Sequence, residues 1–214
     1  MVIRDWSSDV CSSDLACFEN ALNIDPEQEQ VLTSRGKTFQ AIGQNDEALS
    51  CFIKALEVNP HNHENWINKG YSLCNLGRYE EALDCFNKAL EIDSRNIFAL
   101  HSKGFAFNHL GHYEKAISCY NQVIELDPQN ASVWTRKGRS LCNIDCLDEA
   151  LSCFEKSLDL NPNDAEVWAL KGDALYDLGR YKEALSSSKK ATEIAPKLAV
   201  AWYIKAQVEE KIGQ

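Results

Sequence analysis

Long apolar runs, glycine-rich loops and paired-cysteine motifs are all missing from this 214-residue sequence. No stretch approaches the roughly 18 uninterrupted apolar residues of a membrane-spanning helix, so no membrane partner is expected. The N-terminus lacks a basic-then-apolar signal pattern, and a soluble, cytoplasmic protein is the expectation. The nine cysteines include no CxxC pair, are too few for a disulfide scaffold and lack zinc-site spacing. The glycines never gather into a phosphate cradle, and no serine sits in a nucleophile elbow. Catalysis, cofactor and metal are therefore not expected, and the chain is read as no enzyme. Bases are outnumbered, 22 Lys and Arg against 32 Asp and Glu. That balance argues against holding phosphate backbones, so no nucleic-acid partner is expected either. Disorder is excluded by a hydrophobic fraction of 44%. Prolines number five and glycines ten, few enough that each position carries information.

The prolines share one phase. Pro26, Pro60, Pro128, Pro162 and Pro196 fall on a period of 34, with Ser94 on the missing beat. A fixed period of this size marks a repeat array. With the prolines set at phase 32, other positions align in columns. Phase 4 reads Leu32, Trp66, Leu100, Trp134, Trp168 and Trp202. Phase 8 reads Gly36, Gly70, Gly104, Gly138, Gly172 and Ala206. Phase 20 carries Ala48, Ala82, Ala116, Ala150 and Ala184. Phase 24 carries Phe18, Phe52, Phe86, Tyr120 and Phe154, then Ser188. Phase 15 is Gly43, Gly77, Gly111, Asp145 and Gly179.

One unit follows from these columns. Phases 4, 7, 8 and 11 share one helical face, as do 20, 24, 27 and 28. Each repeat is thus two amphipathic helices, with a turn at the phase-15 glycine and a stop before the proline. Glycine inside the first helix costs about 1 kcal/mol against alanine, and its recurrence predicts close helix approach.

The segment Trp66 to Ser94, WINKGYSLCNLGRYEEALDCFNKALEIDS, resembles a tetratricopeptide repeat. It has the same large, Gly, Ala and aromatic order, with Ser94 standing where the other repeats have proline. The resemblance covers full repeats at 29–62, 63–96, 97–130, 131–164 and 165–198. Residues 16–28 correspond to the second helix of a truncated repeat, and 199–214 to the first helix of another. It implies an all-α fold, a right-handed α–α superhelix (a solenoid) of antiparallel helix pairs. Local departures are Ser187 and Ser188 near the last aromatic position, Val123 and Ser157 at phase 27, and Asp145-Cys146-Leu147 at one turn.

Residues 1–15 break the phase, since Asp14 occupies the phase-20 position. The stretch within residues 3–15 resembles a translated sequencing-library adapter, so 1–15 is taken as a non-native segment. The remainder is read as an interior fragment of a longer array, and self-association through uncapped ends is expected.

Other groups are read structurally. Cys17, Cys51, Cys85, Cys119 and Cys153 occupy phase 23, one repeat apart, and repeats stack too far apart for disulfide geometry. They are expected to be small buried hydrophobes. His61 and His63 flank a turn without a third ligand. Asn130 begins an NAS sequon, expected to be incidental. A basic column at phase 7, Arg35, Lys69, Lys103, Lys137, Lys171 and Lys205, is expected to pack its stems and pair with acids at phases 18, 19 and 29.

The resemblance further implies that first helices line a concave face through phases 2, 5, 9, 12 and 13. Carried over, these give Lys37, then Ile67 and Tyr71, then His101, Phe105, Asn108 and His109. The fourth repeat offers Arg139 with Arg136 adjacent, and the fifth Asp173 and Tyr176. The chaperone-tail clamp of the family, Lys at phase 5 and Asn at phase 9, is absent. The expected function is a protein–protein interaction scaffold binding a peptide or helix in the groove. The alternative is the substrate-recruiting portion of a larger enzyme, such as a glycosyltransferase, with its catalytic domain elsewhere.

Overall fold

The computed structural model describes residues 6–25 and 27–213, with side chains from residue 15 onward. Pro26, Gln214 and residues 1–5 of the expected foreign segment lie outside the described residues. Twelve helices and no strand occur among the described residues. They divide into two compact units, Met1–Leu110 and Gly111–Gln214. The first holds α1 (Trp6–Ile24), α2 (Glu29–Ala41), α3 (Asn45–Val58), α4 (His63–Asn75), α5 (Tyr79–Ile92) and α6 (Ile97–His109). The second holds α7 (Tyr113–Leu126), α8 (Ala131–Cys142), α9 (Leu147–Leu160), α10 (Ala165–Asp177), α11 (Tyr181–Ile194) and α12 (Ala199–Gly213). Within each unit the helices pack as antiparallel pairs on their chain neighbours, the all-α helix-pair architecture that the repeat pattern implies.

The helix ends follow from the phase. Asn62, Asn96, Asn130 and Asp164, all at phase 34, accept hydrogen bonds from backbone N–H groups of the following first turn, satisfying donors no helix can satisfy itself. The sequon asparagine Asn130 is thus an N-cap. At the turn inside each repeat the chain must enter the left-handed region: Gly77 has φ of 76° and Asp145, the substitute, 61°. Aspartate is among the few side chains that tolerate this conformation. Helix α1 starts at Trp6, ahead of the residue 16 where the phase begins. No proline or glycine stands between Trp6 and Ile24 to stop the helix extending upstream.

The core is the phase-20 and phase-24 columns. Ala48, Phe52, Ala82, Phe86, Ala150 and Phe154 are fully buried. A Cβ on Gly36, Gly70 or Gly138 would stand 2.6–2.7 Å from the ring of Phe52, Phe86 or Phe154. Close approach is therefore the reason for the mid-helix glycines. At Gly172 the facing residue is Ser188, and the nearest atoms stand at 3.5 Å. Ser157, at phase 27, is buried but satisfied, bonded to Thr135 Oγ1 at 2.8 Å and donating to the Ala131 carbonyl at 3.0 Å. Cys51, Cys85, Cys119 and Cys153 are buried as expected; Cys17 is exposed. Its helix α1 packs chiefly on α2, with Leu15 against the core cluster of Phe39, Ala48, Cys51 and Phe52.

The phase-7 bases find different partners from those expected. Each lies over an aromatic ring of its own helix: Lys69 on Trp66 at 5.1 Å, Lys137 on Trp134 and Lys171 on Trp168 at 5.7 Å, and Lys205 on Trp202 at 4.7 Å. Two of their ion pairs reach phase 25 of the preceding repeat, Arg35–Glu19 and Lys171–Glu155, while Lys205 pairs with Glu209 of its own helix. The phase-19 acids Glu81 and Glu183 pair instead with Arg78 and Arg180 at the turns. Each of these four tryptophans also donates from Nε1 to the carbonyl of the proline six residues before it, at 2.8–3.0 Å.

Candidate partner-binding clefts

In the first unit the exposed faces of α2, α4 and α6 enclose a cleft of about 690 Å³. Ile67 and Tyr71 reach it from α4, and His101 from α6. Those three expected site residues are brought together. Phases 5 and 9 of one first helix and phase 5 of the next fall on adjoining faces, because residues four apart stack along a helix. Phe98, 75% exposed, and Tyr71, 52% exposed, stand at its rim. Two large exposed hydrophobic side chains at one cleft are a recognisable mark of a contact surface. Lys37 lies at the edge, where its ammonium binds Glu64 at 2.5 Å.

Phe105 and His109 are not in this cleft. They stack on Tyr79 of α5: the Tyr79 and His109 rings are 4.7 Å apart and near parallel, and Phe105 meets both edge-on or tilted. Phe105 is half-buried in this trio, while His109 remains exposed. Asn108 is half-buried and engaged within the protein.

The second unit has its own cleft, about 360 Å³, where Arg139 and Asp173 line a floor of Ala169, Leu170 and Val200, beside Glu166. Burial, reinforced by the neighbouring charge of Asp177, holds the Asp173 carboxyl above the usual carboxylate range. Arg136 points elsewhere, hydrogen-bonding the buried Tyr120 hydroxyl, whose pKa burial pushes up to about 12. Tyr176 leans on Tyr181 at 5.5 Å.

Sequence reasoning missed Gln40 and Asn68, which line the first cleft. Asn68 stands at phase 6, on the same helical stripe as phases 2, 9 and 13, so its periodicity could have included it. Gln40, at phase 12, donates to the Asn68 carbonyl and to Ser72 Oγ, both at 2.8 Å, and so ties α2 to α4.

Together the two clefts present apolar, aromatic, amide and charged side chains. Comparison with known proteins agrees with the fold. Residues 29–62 and 64–96 each match a family model described as tetratricopeptide repeat. Residues 95–212, more than half the chain, match the model described as the CABIN1 N-terminal domain. The chain belongs to the tetratricopeptide repeat family. Through residues 95–212 this repeat protein belongs also to the family of the CABIN1 N-terminal domain. No curated protein matches it. Among solved structures it is similar to YrrB, described as a TPR protein with an unusual peptide-binding site (24% identity, TM-score 0.73, 88% of this chain and 97% of that one). It is similar also to TTC0263, a thermophilic TPR protein of Thermus thermophilus (23%, 0.65, 84% and 98%). A third is pilF of Pseudomonas aeruginosa (22%, 0.76, 86% and 84%). At these identities the likeness is one of fold. The tetratricopeptide array is a scaffold of the protein-interaction kind.

Proposed function

We propose that this repeat protein holds a peptide or helix of a partner protein against its first-helix faces and catalyses nothing itself. The carrying observation is the cleft of the first unit, which gathers Ile67, Tyr71 and His101 beneath the exposed Phe98. Exposed aromatic side chains over a concave surface suit a partner's apolar anchor. The description of YrrB, a protein of the same fold, names a peptide-binding site, which supports the reading. The charged cleft around Arg139 and Asp173 is assigned to the same role. Five full repeats flanked by half-repeats, with residues 1–15 foreign, are the proposed organisation. Nucleic acid and membrane are not proposed partners: the net charge is −10, and among the described residues no helix is long and apolar enough to cross a membrane. We place the protein in the cytoplasm on its composition. The test is panning of a random 12-residue peptide display library on the full chain. Binders are expected to lose about tenfold in affinity on Tyr71→Ala, with the circular-dichroism helix signal intact. Failure to recover any binder, or affinity indifferent to Tyr71→Ala, would remove the cleft assignment.

A further inference from the structure

The phase-4 column is interrupted at Leu32, and an opening lies beside the interruption. In the second, fourth and fifth repeats this position is Trp66, Trp134 and Trp168, each indole lying under the phase-7 lysine of its helix. In the first repeat the aromatic residue moves seven positions on. Leu32 stands at phase 4 and Phe39 at phase 11, where those repeats carry Leu73, Leu141 and Leu175. The base follows the ring: Arg35 lies over Phe39 at 5.4 Å. The same exchange recurs at Leu100 and Phe107, with Lys103 over Phe107 at 6.0 Å. The phase-4 end of α2 is thus left without its ring.

An open cavity of about 300 Å³ occupies this place between α1, α2 and α3, with Leu22, Leu32 and Phe39 as its apolar lining. That is the small end of the range for ligand pockets. Arg35, Lys54 and Glu47 supply its charges. Arg35 is paired with Glu19 at 3.3 Å. Because α2 and α3 run antiparallel, Lys54, near the C-terminus of α3, stands at the Leu32 end. Glu47, two turns back and about 10 Å away along the helix, stands at the Phe39 end. The equivalents of Lys54 pair with an acid three residues on, Lys88 with Glu91 and Lys156 with Asp159. Lys54 has Glu57 at that place yet makes no ion pair among the described residues. The Cys51 thiol, which also lines the cavity, is pushed up by burial and drawn back by Arg35 and Lys54, so both cations stand near it. The vacated end therefore combines apolar surface with an unpaired ammonium.

We propose that this cavity binds a small aromatic carboxylic acid, its ring against Leu22 and Leu32 and its carboxylate on Lys54 Nζ. The ring supplies from solution the aromatic surface that Trp66 supplies from within the chain. Its burial provides most of the affinity. The exposed ion pair adds little but sets the sign of the preferred ligand, since a cationic aromatic would stand beside Lys54 and Arg35 as a like charge. The site lies apart from the first-helix clefts, and it stands or falls independently of the peptide-binding reading.

The experiment titrates the full 214-residue chain with indole-3-acetate, followed by ligand-observed NMR, and with indole-3-ethylamine as the cationic counterpart. Indole-3-acetate is expected to saturate in the millimolar range, as its size allows, and the amine to bind about fivefold more weakly. Lys54→Met should bring the two probes together. Leu32→Trp combined with Phe39→Leu reproduces the Trp66 and Leu73 pair inside the first repeat, and should abolish binding of both with the circular-dichroism helix signal intact. A second readout needs no variant of the cavity. Indole-3-acetate should slow alkylation of Cys51 by about the ratio of its concentration to its dissociation constant. Alkylation of Cys153, whose repeat carries Trp134, should be unchanged. Absence of saturable binding, equal binding of the two probes by the wild type, undiminished binding by the folded double variant, or an unprotected Cys51 would each overturn the proposal.

Discussion

At the residue scale, the phase-8 glycines show how one column can carry two different energetics. Gly70 faces the buried ring of Phe86, and an added Cβ would stand 2.6 Å from Cε1. The ring is fully buried and cannot retreat freely. Gly70→Ala is expected to destabilise by about 1–2 kcal/mol, an overpacking cost partly offset by the better helix propensity of alanine. Gly172 faces Ser188, and an added Cβ there meets only ordinary contacts at 3.5 Å or more. Gly172→Ala is expected to stabilise by up to about 1 kcal/mol. Urea melts of the two variants check the pair, and equal shifts in the same direction would refute the close-approach account. The sequence carried this distinction, because Ser188 is visible as the one phase-24 departure among the full repeats. What it did not carry was Asn68. Its place in the array is periodic, but whether its side-chain amide finds a partner is set by the packing of neighbouring helices, which leaves Asn68 Nδ2 shielded and without one.

At the scale of the element, helix pairs were legible because their punctuation is local. A left-handed turn at Gly77 and an N-cap at Asn62 act over a few residues and recur with the period. The packing of the outer edge was less legible. The basic column was expected to pair with acids at phases 18, 19 and 29, yet Lys137 and Lys171 lie over indole rings in their own helix. Residues three apart on a helix are neighbours, and an amphipathic lysine stem favours an aromatic face beside it. The indole's second role was invisible in sequence for a plain reason: its acceptor is a backbone carbonyl, which every residue has. Trp134 Nε1 donates to the Pro128 carbonyl at 3.0 Å and so ties the first helix of one repeat to the turn before it. Trp134→Phe keeps the ring and loses the donor. It is expected to cost about 0.5–1.5 kcal/mol, read as a lowered urea midpoint with an unchanged slope. Leu100 and Ser94 show the natural case without the bond, and Leu100→Phe should therefore escape that penalty; a Trp134→Phe midpoint equal to the wild type would show the bond contributes nothing.

For the molecule as a whole, the phase-23 cysteines report on how uniformly the array is closed. Four of them, Cys51, Cys85, Cys119 and Cys153, are 3–6% exposed, while Cys17 on α1 is exposed. Burial also pushes the Cys85 thiol up to about 11 and its neighbour Cys74 up to about 12. The thiolate is the nucleophile, so access and ionisation act in the same direction. Repeat arrays hold together by nearest-neighbour interfaces and open locally rather than all at once. In a Cys11→Ser background, iodoacetamide at pH 8 is expected to alkylate Cys17 at the rate of a free thiol. The four buried positions should follow at least a hundredfold more slowly, their rates set by local opening of the two units, each on its own schedule. Site-resolved mass spectrometry reads all of them in one experiment. Two families of rates, one for each of the units Met1–Leu110 and Gly111–Gln214, would mean that the units open independently. A single rate for the four would mean one cooperative opening across the chain. Alkylation of Cys85 as fast as that of Cys17 would contradict the packing itself, because no side chain beneath a closed α4–α5 pair can meet the reagent without that pair parting.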